Sequence, residues 1–202
     1  PAITGAFNSV SGDRVEAMLK KLLIVHKNIT VDVPDEDDPA VLDEDLANEG
    51  RWKMNPPIRS EYDRRALLLG IKDGTIDAIA TDHAPHAERE KCLDLKHSAM
   101  GVVGLETAFA AIYTRLVVQG RTGLDRVVQL MSLTPRRILK LGGFESGGIA
   151  EGDPAMLTLV DLNAVRRVDS TAFHGKGRAT PFEGMELQGW PVATFCHPEG
   201  EW

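Results

Sequence analysis

The chain has 202 residues, of which 43% are hydrophobic and 26% are charged, and its formal net charge is −7. This length is enough for one substantial core, or for a core with a small second unit. Lysine and arginine form no cluster, which argues against a nucleic-acid partner, and no apolar run approaches the length of a membrane span. We therefore expect a soluble, cytoplasmic protein with no membrane partner. Its two cysteines, Cys92 and Cys196, form no Cys-x-x-Cys pair and are expected to be free thiols.

The N-terminal quarter of the chain predicts one helix, one strand and a long connection. Apolar residues fall at helical spacing over residues 11–25, which predicts a helix. Ile29 to Val33 alternates like a short strand. The acidic residues 34–50 read as a solvated connection, with one possible helical turn at residues 43–47. Lys53 to Pro57 must be irregular, because consecutive prolines remove hydrogen-bond donors and restrict the residue before them.

The middle of the chain alternates between helices and a buried strand. A helix is predicted from Ser60 to Gly74, and the apolar run Ile76 to Thr81 predicts a buried strand. Residues 82–102 read as one long irregular stretch. Further helices are predicted over residues 104–118 and 125–131, and a third begins at Thr134-Pro135.

The last 60 residues change in character. Glycines recur, helical patterns vanish, and short strands are predicted at Met156 to Val160 and at Val192 to Phe195. We therefore divide the chain into residues 1–143, an α/β unit with parallel strands and crossover helices, and residues 144–202, a small β appendage. About three strands are too few to close a (β/α)8 barrel alone.

The chemically richest segment is Thr81-Asp82-His83-Ala84-Pro85-His86, which directly follows the predicted buried strand. The carboxyl ends of strands are where α/β barrels hold their active sites. Asp82 is there a candidate metal ligand and proton acceptor, although an aspartate that caps a turn is the competing interpretation. His86 is a candidate contact to an anionic substrate. His83 could bind a metal, orient Asp82, or simply pack.

Two further segments offer groups that suit a flat, polar ligand. Asn55, beside two prolines, has an amide that both donates and accepts, although an ordinary Asx-turn fits equally well. Met100 and Gly101 precede a predicted helix, and glycine allows close backbone approach to a ligand. A flexible loop is the alternative interpretation there.

These residues resemble the dihydroorotase family, of the longer bacterial type, within the amidohydrolase superfamily. The resemblance runs from about residue 43 to 195 and is carried by Asn55-Pro56-Pro57, by the Thr81 to His86 segment, by Met100 to Thr107, and by Lys176 to Phe182. Related hydantoinases and allantoinases share the Asp-His pair but usually lack the second histidine in this form.

The resemblance implies an α/β fold that contains the C-terminal strands and helices of a (β/α)8 barrel. It further implies zinc-assisted, reversible interconversion of N-carbamoyl-L-aspartate and dihydroorotate in pyrimidine biosynthesis. Asp82 matches the metal-binding aspartate that also serves as catalytic base and acid, and His86 matches a contact to the substrate carboxylate. Asn55, Met100 and Gly101 match contacts to the pyrimidine ring.

The chain departs from the family pattern in its metal ligands. The His-x-His pair of the first barrel strand, the arginine that follows it and the bridging acid or lysine are absent, and no histidine stands at residues 8–11 or 33–35, where two more ligands are expected. His26, or Asp35 or Glu36, is a weaker candidate for a replacement ligand. Zinc sites need three or more protein ligands, so we expect the isolated chain to bind zinc poorly and to turn over slowly or not at all.

Three functions therefore stand in competition. The chain is a piece of an active dihydroorotase, a non-catalytic relative that scaffolds a partner such as aspartate transcarbamoylase, or another cyclic amidohydrolase. The missing histidines favour the scaffold, whereas the intact ring-contact segments favour the enzyme, and His86 argues against the third. A homo-oligomer or a complex with the transcarbamoylase is expected, because barrel strands without neighbours expose unpaired edges.

Overall fold

A computed structural model describes residues 22–25, 48–58, 61–141, 149–151 and 155–195, with only the backbone described for residues 22–25. This part of the chain mixes helices with two pairs of strands, one parallel and one antiparallel. The α/β class predicted from the sequence is therefore confirmed. The strand predicted at residues 29–33 and the helical turn at 43–47 lie outside the described residues.

The first strand corrects a helix prediction. Residues 22–25 were expected to end a helix that begins at residue 11, but Leu22–Val25 form the strand β1. This strand pairs in parallel with β2 (Ala78–Ala80), with Val25 opposite Ala80. A continuous run of four apolar residues fits a buried strand as well as one face of a helix, and pairing with β2 decides between them.

Helix α1 (Glu61–Asp73) confirms the predicted helix, and Gly74 follows it with φ of +86°. Ile71 packs in the core, and Leu67 and Leu68 lie against it. The guanidinium of Arg126 donates to the carbonyl oxygens of Ile71 (3.2 Å) and Ile76 (3.0 Å), so it joins the end of α1 to the approach to β2. Such bonds supply partners for carbonyls that a helix end leaves free.

The segment after β2 is less irregular than expected. Residues 82–102 contain a short helix, α2 (Glu88–Lys91), which the sequence analysis did not predict. Its start is stabilised by the Glu90 carboxylate, which accepts a hydrogen bond from the Ala87 backbone N–H at 2.9 Å. This is the backbone half of a capping box, although Ala87 itself has no side chain that can complete it.

The following helices contain wide turns. Helix α3 (Ala108–Ile112) begins four residues later than predicted and continues as a π-helical segment, Tyr113–Val118. Helix α4 (Leu124–Val128) runs through a second π-helical segment, Gln129–Leu133, into α5 (Thr134–Leu139). Two separate helices were predicted here, but the Thr134-Pro135 pair joins a continuing helix and does not begin a new one. Proline is tolerated at that point because the π-helical turn already alters the hydrogen-bond pattern.

The C-terminal part is a long antiparallel pair, β3 (Leu157–Arg167) and β4 (Glu186–Phe195), with a 3-10 turn at Ser170–Ala172 between them. Both strands are longer than predicted. The Thr114 hydroxyl accepts a hydrogen bond from the Gln188 backbone N–H at 2.8 Å, which fixes β4 against the helix that continues α3.

Two hydrophobic clusters hold these elements together. The first lies among β2 and helices α1, α3 and α4, and its buried members are Ile71, Ile76, Ile79, Ile112, Leu116, Val127 and Leu130. The second joins α3 to the C-terminal strands, and its buried members are Ala110, Ala111, Val168, Phe182 and Leu187. The division into residues 1–143 and 144–202 stays a prediction, and the second cluster crosses it. Within the described ranges, no helix is long and apolar enough to cross a bilayer.

Candidate functional site

The loop from Asp82 to His86 leaves the end of β2 and runs beside the segment around Val102. Asp82 has φ of +46° and an exposed side chain. His83 forms a parallel β-bridge with Val102, and the Ala84 backbone N–H donates to the Val102 carbonyl at 3.1 Å. Strand-like pairing thus begins again at His83, three residues beyond the end of β2, and Asp82 lies in the bend between them. A non-glycine residue in this region of φ is uncommon and is frequent at functional sites.

His83 has a structural contact with the turn before α3. Its Nδ1 accepts hydrogen bonds from the backbone N–H groups of Gly104 and Leu105, each at 3.3 Å. An imidazole nitrogen that accepts must be unprotonated. His83 therefore helps to hold the turn before α3, and this use of Nδ1 leaves only Nε2 for any other contact.

His86 is joined directly to the Met100 segment. Its Nε2 lies 2.7 Å from the Met100 carbonyl oxygen, and because a carbonyl only accepts, Nε2 carries the proton. Its Nδ1 lies 3.9 Å from a carboxylate oxygen of Glu90. Two of the predicted substrate-binding residues, His86 and Met100, are therefore hydrogen-bonded to each other in this structure.

Gly101 lies very close to the same loop. Its φ is +126°, and an added Cβ would lie 2.7 Å from the Ala84 Cβ and 2.9 Å from the His86 Nε2. Only glycine fits here, for reasons of both conformation and space. This close approach is to Ala84 and His86. The approach to a flat ligand stays a prediction.

The Asn55 segment joins the other two through Lys53. The Gly101 backbone N–H donates to the Lys53 carbonyl oxygen at 3.1 Å. Asn55, two residues further on, has an exposed side chain and precedes a cis bond to Pro56, while its neighbour Met54 is buried. The irregular backbone predicted for residues 53–57 is confirmed. Three segments that are distant in sequence thus converge, and together they carry all five predicted site residues, Asn55, Asp82, His86, Met100 and Gly101; their roles stay predictions.

Sequence reasoning missed Lys91. Its side chain is only 7% exposed, and its Nζ donates to the carbonyl oxygens of Lys53 (3.0 Å) and Ala99 (2.7 Å). A lysine in an acidic and basic run normally points to solvent. The sequence shows only that Glu90 and Lys91 follow the His86 loop. Nothing in this pattern indicates that the lysine side chain is buried.

The C-terminal segment closes one side of the site. Val103 N–H donates to the Ala179 carbonyl at 2.9 Å, and Gly177 lies so close to Val103 and Pro85 that an added Cβ would clash with both. A cavity of about 370 Å³ lies between this segment and α2, lined by Arg51, His86, Glu88, Lys91, Cys92, Lys176, Arg178 and Ala179. Most of its charged lining residues are cationic, which would favour an anionic ligand. Cys92 is a free, exposed thiol; the sequence predicted the free thiol but not its exposure.

A carboxylate just outside the site anchors the same C-terminal segment. Glu106 accepts hydrogen bonds from the backbone N–H groups of His174 (2.9 Å) and Gly175 (3.0 Å), and from the His174 imidazole (3.1 Å). Partial burial opposes its ionisation, but these hydrogen bonds outweigh burial and hold the pKa of Glu106 below its usual value.

The described residues do not form a zinc site. They contain no group of three or more His, Cys, Asp or Glu side chains placed to share a metal ion. A protein zinc site needs at least three such ligands, and of the candidates named from the sequence only Asp82 and His83 lie in this part of the chain. The candidates His26, Asp35 and Glu36 lie outside the described residues. What the arrangement offers chemically is an exposed carboxylate, an imidazole and several backbone groups around one loop junction.

The sequence is closely similar to known dihydroorotases. It is 46% identical over 168 residues to a protein from Listeria welshimeri named dihydroorotase. The aligned region covers 80% of this chain and 39% of the relative. It is 45% identical over 161 residues to a dihydroorotase from Halalkalibacterium halodurans, covering 79% of this chain and 37% of the relative. The chain thus spans well under half the length of these curated relatives.

Solved structures give the same assignment of fold. An L-hydantoinase (dihydropyrimidinase) from Arthrobacter aurescens matches with a TM-score of 0.65 and 30% identity, over 71% of this chain and 32% of the hydantoinase. A D-hydantoinase from Thermus sp. matches with a TM-score of 0.64 and 26% identity, over 73% of this chain and 32% of the other. The sequence signature of the Amidohydrolase family covers residues 12–202. A match over nearly the whole chain, joined to this structural likeness, establishes that the chain belongs to the amidohydrolase family.

Proposed function

We propose that the chain is part of a dihydroorotase-type cyclic amidohydrolase that interconverts N-carbamoyl-L-aspartate and dihydroorotate in the cytoplasm, as a step of de novo pyrimidine biosynthesis. The observation that carries the proposal is the convergence of the three segments around Asn55, around Asp82 to His86, and around Met100-Gly101. The 46% identity to a named dihydroorotase supports it. The fold proposed with it is the C-terminal part of a (β/α)8 barrel, in which β1 and β2 are neighbouring parallel strands.

The substrate is proposed to bind by replacing one internal hydrogen bond. The His86 Nε2–H donates to the Met100 carbonyl at 2.7 Å. Dihydroorotate carries a carboxylate, which can accept from His86, and ring N–H groups, one of which can donate to the freed carbonyl. Asn55 and the backbone of Gly101 complete the ring contacts. The exchange conserves the number of hydrogen bonds, so it costs little beyond the movement of the imidazole.

Asp82 is proposed to carry the protons of the reaction. In ring opening, a water molecule adds to the amide carbonyl carbon, and the Asp82 carboxylate accepts the proton that this water loses. The same group then returns the proton to the ring nitrogen as the carbon–nitrogen bond breaks. The exposed position of Asp82 at the end of a strand leaves it accessible to both water and substrate. Zinc belongs to the proposal with Asp82 as one ligand, and no step is assigned to it because the described donor set is incomplete.

Assembly with other chains is part of the same proposal. A homo-oligomer, or a complex with aspartate transcarbamoylase, would cover the outer edges of β1 and β2, which have no strand partner among the described residues. The non-catalytic scaffold is the alternative function that the sequence left open.

The test is hydrolysis of dihydroorotate by the purified chain with added zinc. We expect Asp82→Asn to lower the rate by about a hundredfold or more, since it removes the proton acceptor. His86→Ala should mainly raise KM. Asp125→Asn, which changes an exposed aspartate in the first turn of α4, is the matched control and should leave the rate unchanged.

Each outcome has a plain meaning. Full activity in Asp82→Asn would overturn the catalytic role of this residue. A folded wild-type chain with no activity, which co-purifies with a transcarbamoylase, would replace the enzyme by the scaffold. Faster turnover of a hydantoin than of dihydroorotate would point to the third class of function.

A further inference from the structure

We propose that Lys91 is a positioning residue that sets the distance between the Asn55 segment and the Met100-Gly101 segment. Its ammonium group donates to the carbonyl oxygen of Lys53 at 3.0 Å and to that of Ala99 at 2.7 Å. Lys53 lies two residues before Asn55, and Ala99 directly precedes Met100. One side chain therefore joins the backbones of two segments that are more than 40 residues apart in sequence. The role deepens the proposed function and rests on it for the identity of the ligand.

The hydrogen bonds around Lys91 are linked to one another. The Lys53 carbonyl accepts from Lys91 and also from the Gly101 N–H, at 3.1 Å. The Ala99 N–H donates to the Glu90 carbonyl at 2.9 Å, so the helix that carries Lys91 also binds the Ala99 segment through its backbone. Because each bond constrains the next, loss of the ammonium group should loosen all of them together.

Burial makes this arrangement depend on a charged hydrogen-bond donor. The side chain is 7% exposed, and a charged group is rarely buried unless polar partners compensate it. Backbone carbonyls do so here because hydrogen bonds from a charged donor are stronger than those between neutral groups. A methionine fills the same volume but cannot donate, whereas an arginine retains the charge and several donors.

The position of Lys91 between the two segments has a consequence for ligand binding. Met100 offers its carbonyl and Gly101 its backbone to the proposed ring, while Asn55 faces it from the other segment. A shift of about 1 Å between such groups lowers catalytic efficiency by about a hundredfold, even when the chemistry lies elsewhere. Lys91 touches none of the proposed reacting atoms, so its effect is exerted through these two segments.

The first test measures, without any ligand, how firmly Lys91 holds the two segments together. Amide exchange of the Gly101 N–H would be measured by NMR in the 202-residue chain and in Lys91→Met, Lys91→Arg and Lys53→Met. We expect about tenfold faster exchange in Lys91→Met, which corresponds to a loss of about 1.4 kcal/mol. Lys91→Arg should recover most of the protection. Lys53→Met is the matched control, since it removes an exposed ammonium bond to the Lys96 carbonyl but keeps the Lys53 carbonyl in place.

The second test measures dihydroorotate hydrolysis with the same variants. A positioning role predicts a rise in KM together with a fall in kcat for Lys91→Met, with partial rescue by Lys91→Arg and an unchanged pH profile. The exchange measurement stands even when the wild-type chain shows no turnover, so a failure of the proposed enzyme function is distinguishable from a failure of this proposal.

Two results would overturn the proposal. Unchanged Gly101 exchange in Lys91→Met would mean that the ammonium group does not hold the segments together. Equal losses in Lys91→Met, Lys91→Arg and Lys53→Met would mean that any change of packing near Lys53 has the same effect. If Lys91→Met does not fold, Lys91→Gln replaces it, since it also removes the charge; Gly101 exchange faster than in Lys53→Met is then the expected result, and equal exchange in the two variants would overturn the proposal.

Discussion

At the scale of single residues, the site is defined by how closely its loops approach one another. Gly101 has no side chain, and this absence lets the Met100 carbonyl reach the His86 imidazole at 2.7 Å. The φ of +126° adds a conformational requirement to the steric one. Asp82 also occupies the left-handed region, with φ of +46°, so two of the five predicted site residues have unusual backbone conformations. Strained conformations persist where surrounding contacts determine them, which is a feature of functional sites.

We expect Gly101→Ala to lower the free energy of unfolding by about 3 kcal/mol, because a left-handed backbone and a clash with Ala84 and His86 add together. The same substitution should displace the His86 imidazole from the Met100 carbonyl. Urea denaturation measures the first effect, and the NMR shifts of the His86 ring nitrogens measure the second.

The control for this prediction is Gly120→Ala. Gly120 has φ of +68°, but an added Cβ would meet no atom within 4 Å. It should therefore cost only the conformational part, about 1 kcal/mol. Equal costs at the two positions would show that the close approach to His86 contributes nothing.

At the scale of elements, Glu106 connects the start of α3 to the C-terminal segment. Its carboxylate accepts three hydrogen bonds from residues 174 and 175, which lie nearly 70 positions further along the chain. This contact holds the segment that includes Gly177, which packs on Pro85 and Val103. Hydrogen bonds from backbone N–H groups to the Glu106 side chain thus hold the C-terminal segment to the residues just before α3.

We expect the contribution of Glu106 to stability to be lost at acid pH. Its pKa in the folded chain is lowered from 4.5, so the stabilisation is complete above that value and disappears as the pH falls through the folded pKa. At pH 7, Glu106→Gln should lower the free energy of unfolding by about 1 kcal/mol, a figure reduced for partial exposure. Urea denaturation of both proteins between pH 7 and pH 3 should show this difference shrinking below about pH 4.5.

His174→Ala is the matched control for the Glu106 prediction. The imidazole of His174 is 98% exposed, and the backbone N–H that binds Glu106 survives the substitution. Its effect should therefore stay within about 0.5 kcal/mol. A Glu106→Gln difference that does not vary with pH would refute the assigned role of the charge.

At the scale of the whole molecule, the described chain leaves much apolar surface uncovered. A groove of about 1240 Å³ lies between the α4–α5 helix and β3, and most of its lining is apolar. Ile149 on its edge is 82% exposed, and Leu159 in β3 is 53% exposed. Monomeric proteins rarely expose large continuous apolar patches. The chain spans only 39% of the Listeria welshimeri dihydroorotase, so a large part of such a protein has no counterpart here.

We expect the isolated chain to self-associate through this surface. Sedimentation velocity over a hundredfold dilution should show a larger species that dissociates on dilution. Ile149→Lys should weaken the association by about tenfold, because it places a charge on the apolar patch. Tyr62→Lys, which changes a 74% exposed side chain on α1, is the control and should have no effect. A monodisperse monomer with one cooperative thermal transition would contradict the prediction.

The sequence by itself determined the elements whose signals are local. Helix α1 has an apolar face at helical spacing and a glycine after its end, and β2 is a short apolar run bounded by polar residues. Consecutive prolines made the Asn55 segment irregular. The same residue patterns carried the resemblance that the family assignment then confirmed.

Only the tertiary structure decided between local patterns that fit two states. Leu22–Val25 is apolar throughout, and parallel pairing with β2 makes it a strand where helical spacing had suggested a helix. Short α2 exists because Glu90 caps it and Lys91 turns inward to two carbonyl oxygens from distant segments. The His86 bond to Met100 is equally invisible in the sequence. Partners that are far apart in the chain leave no periodic signal, because the free energy that selects them arises only when the segments meet.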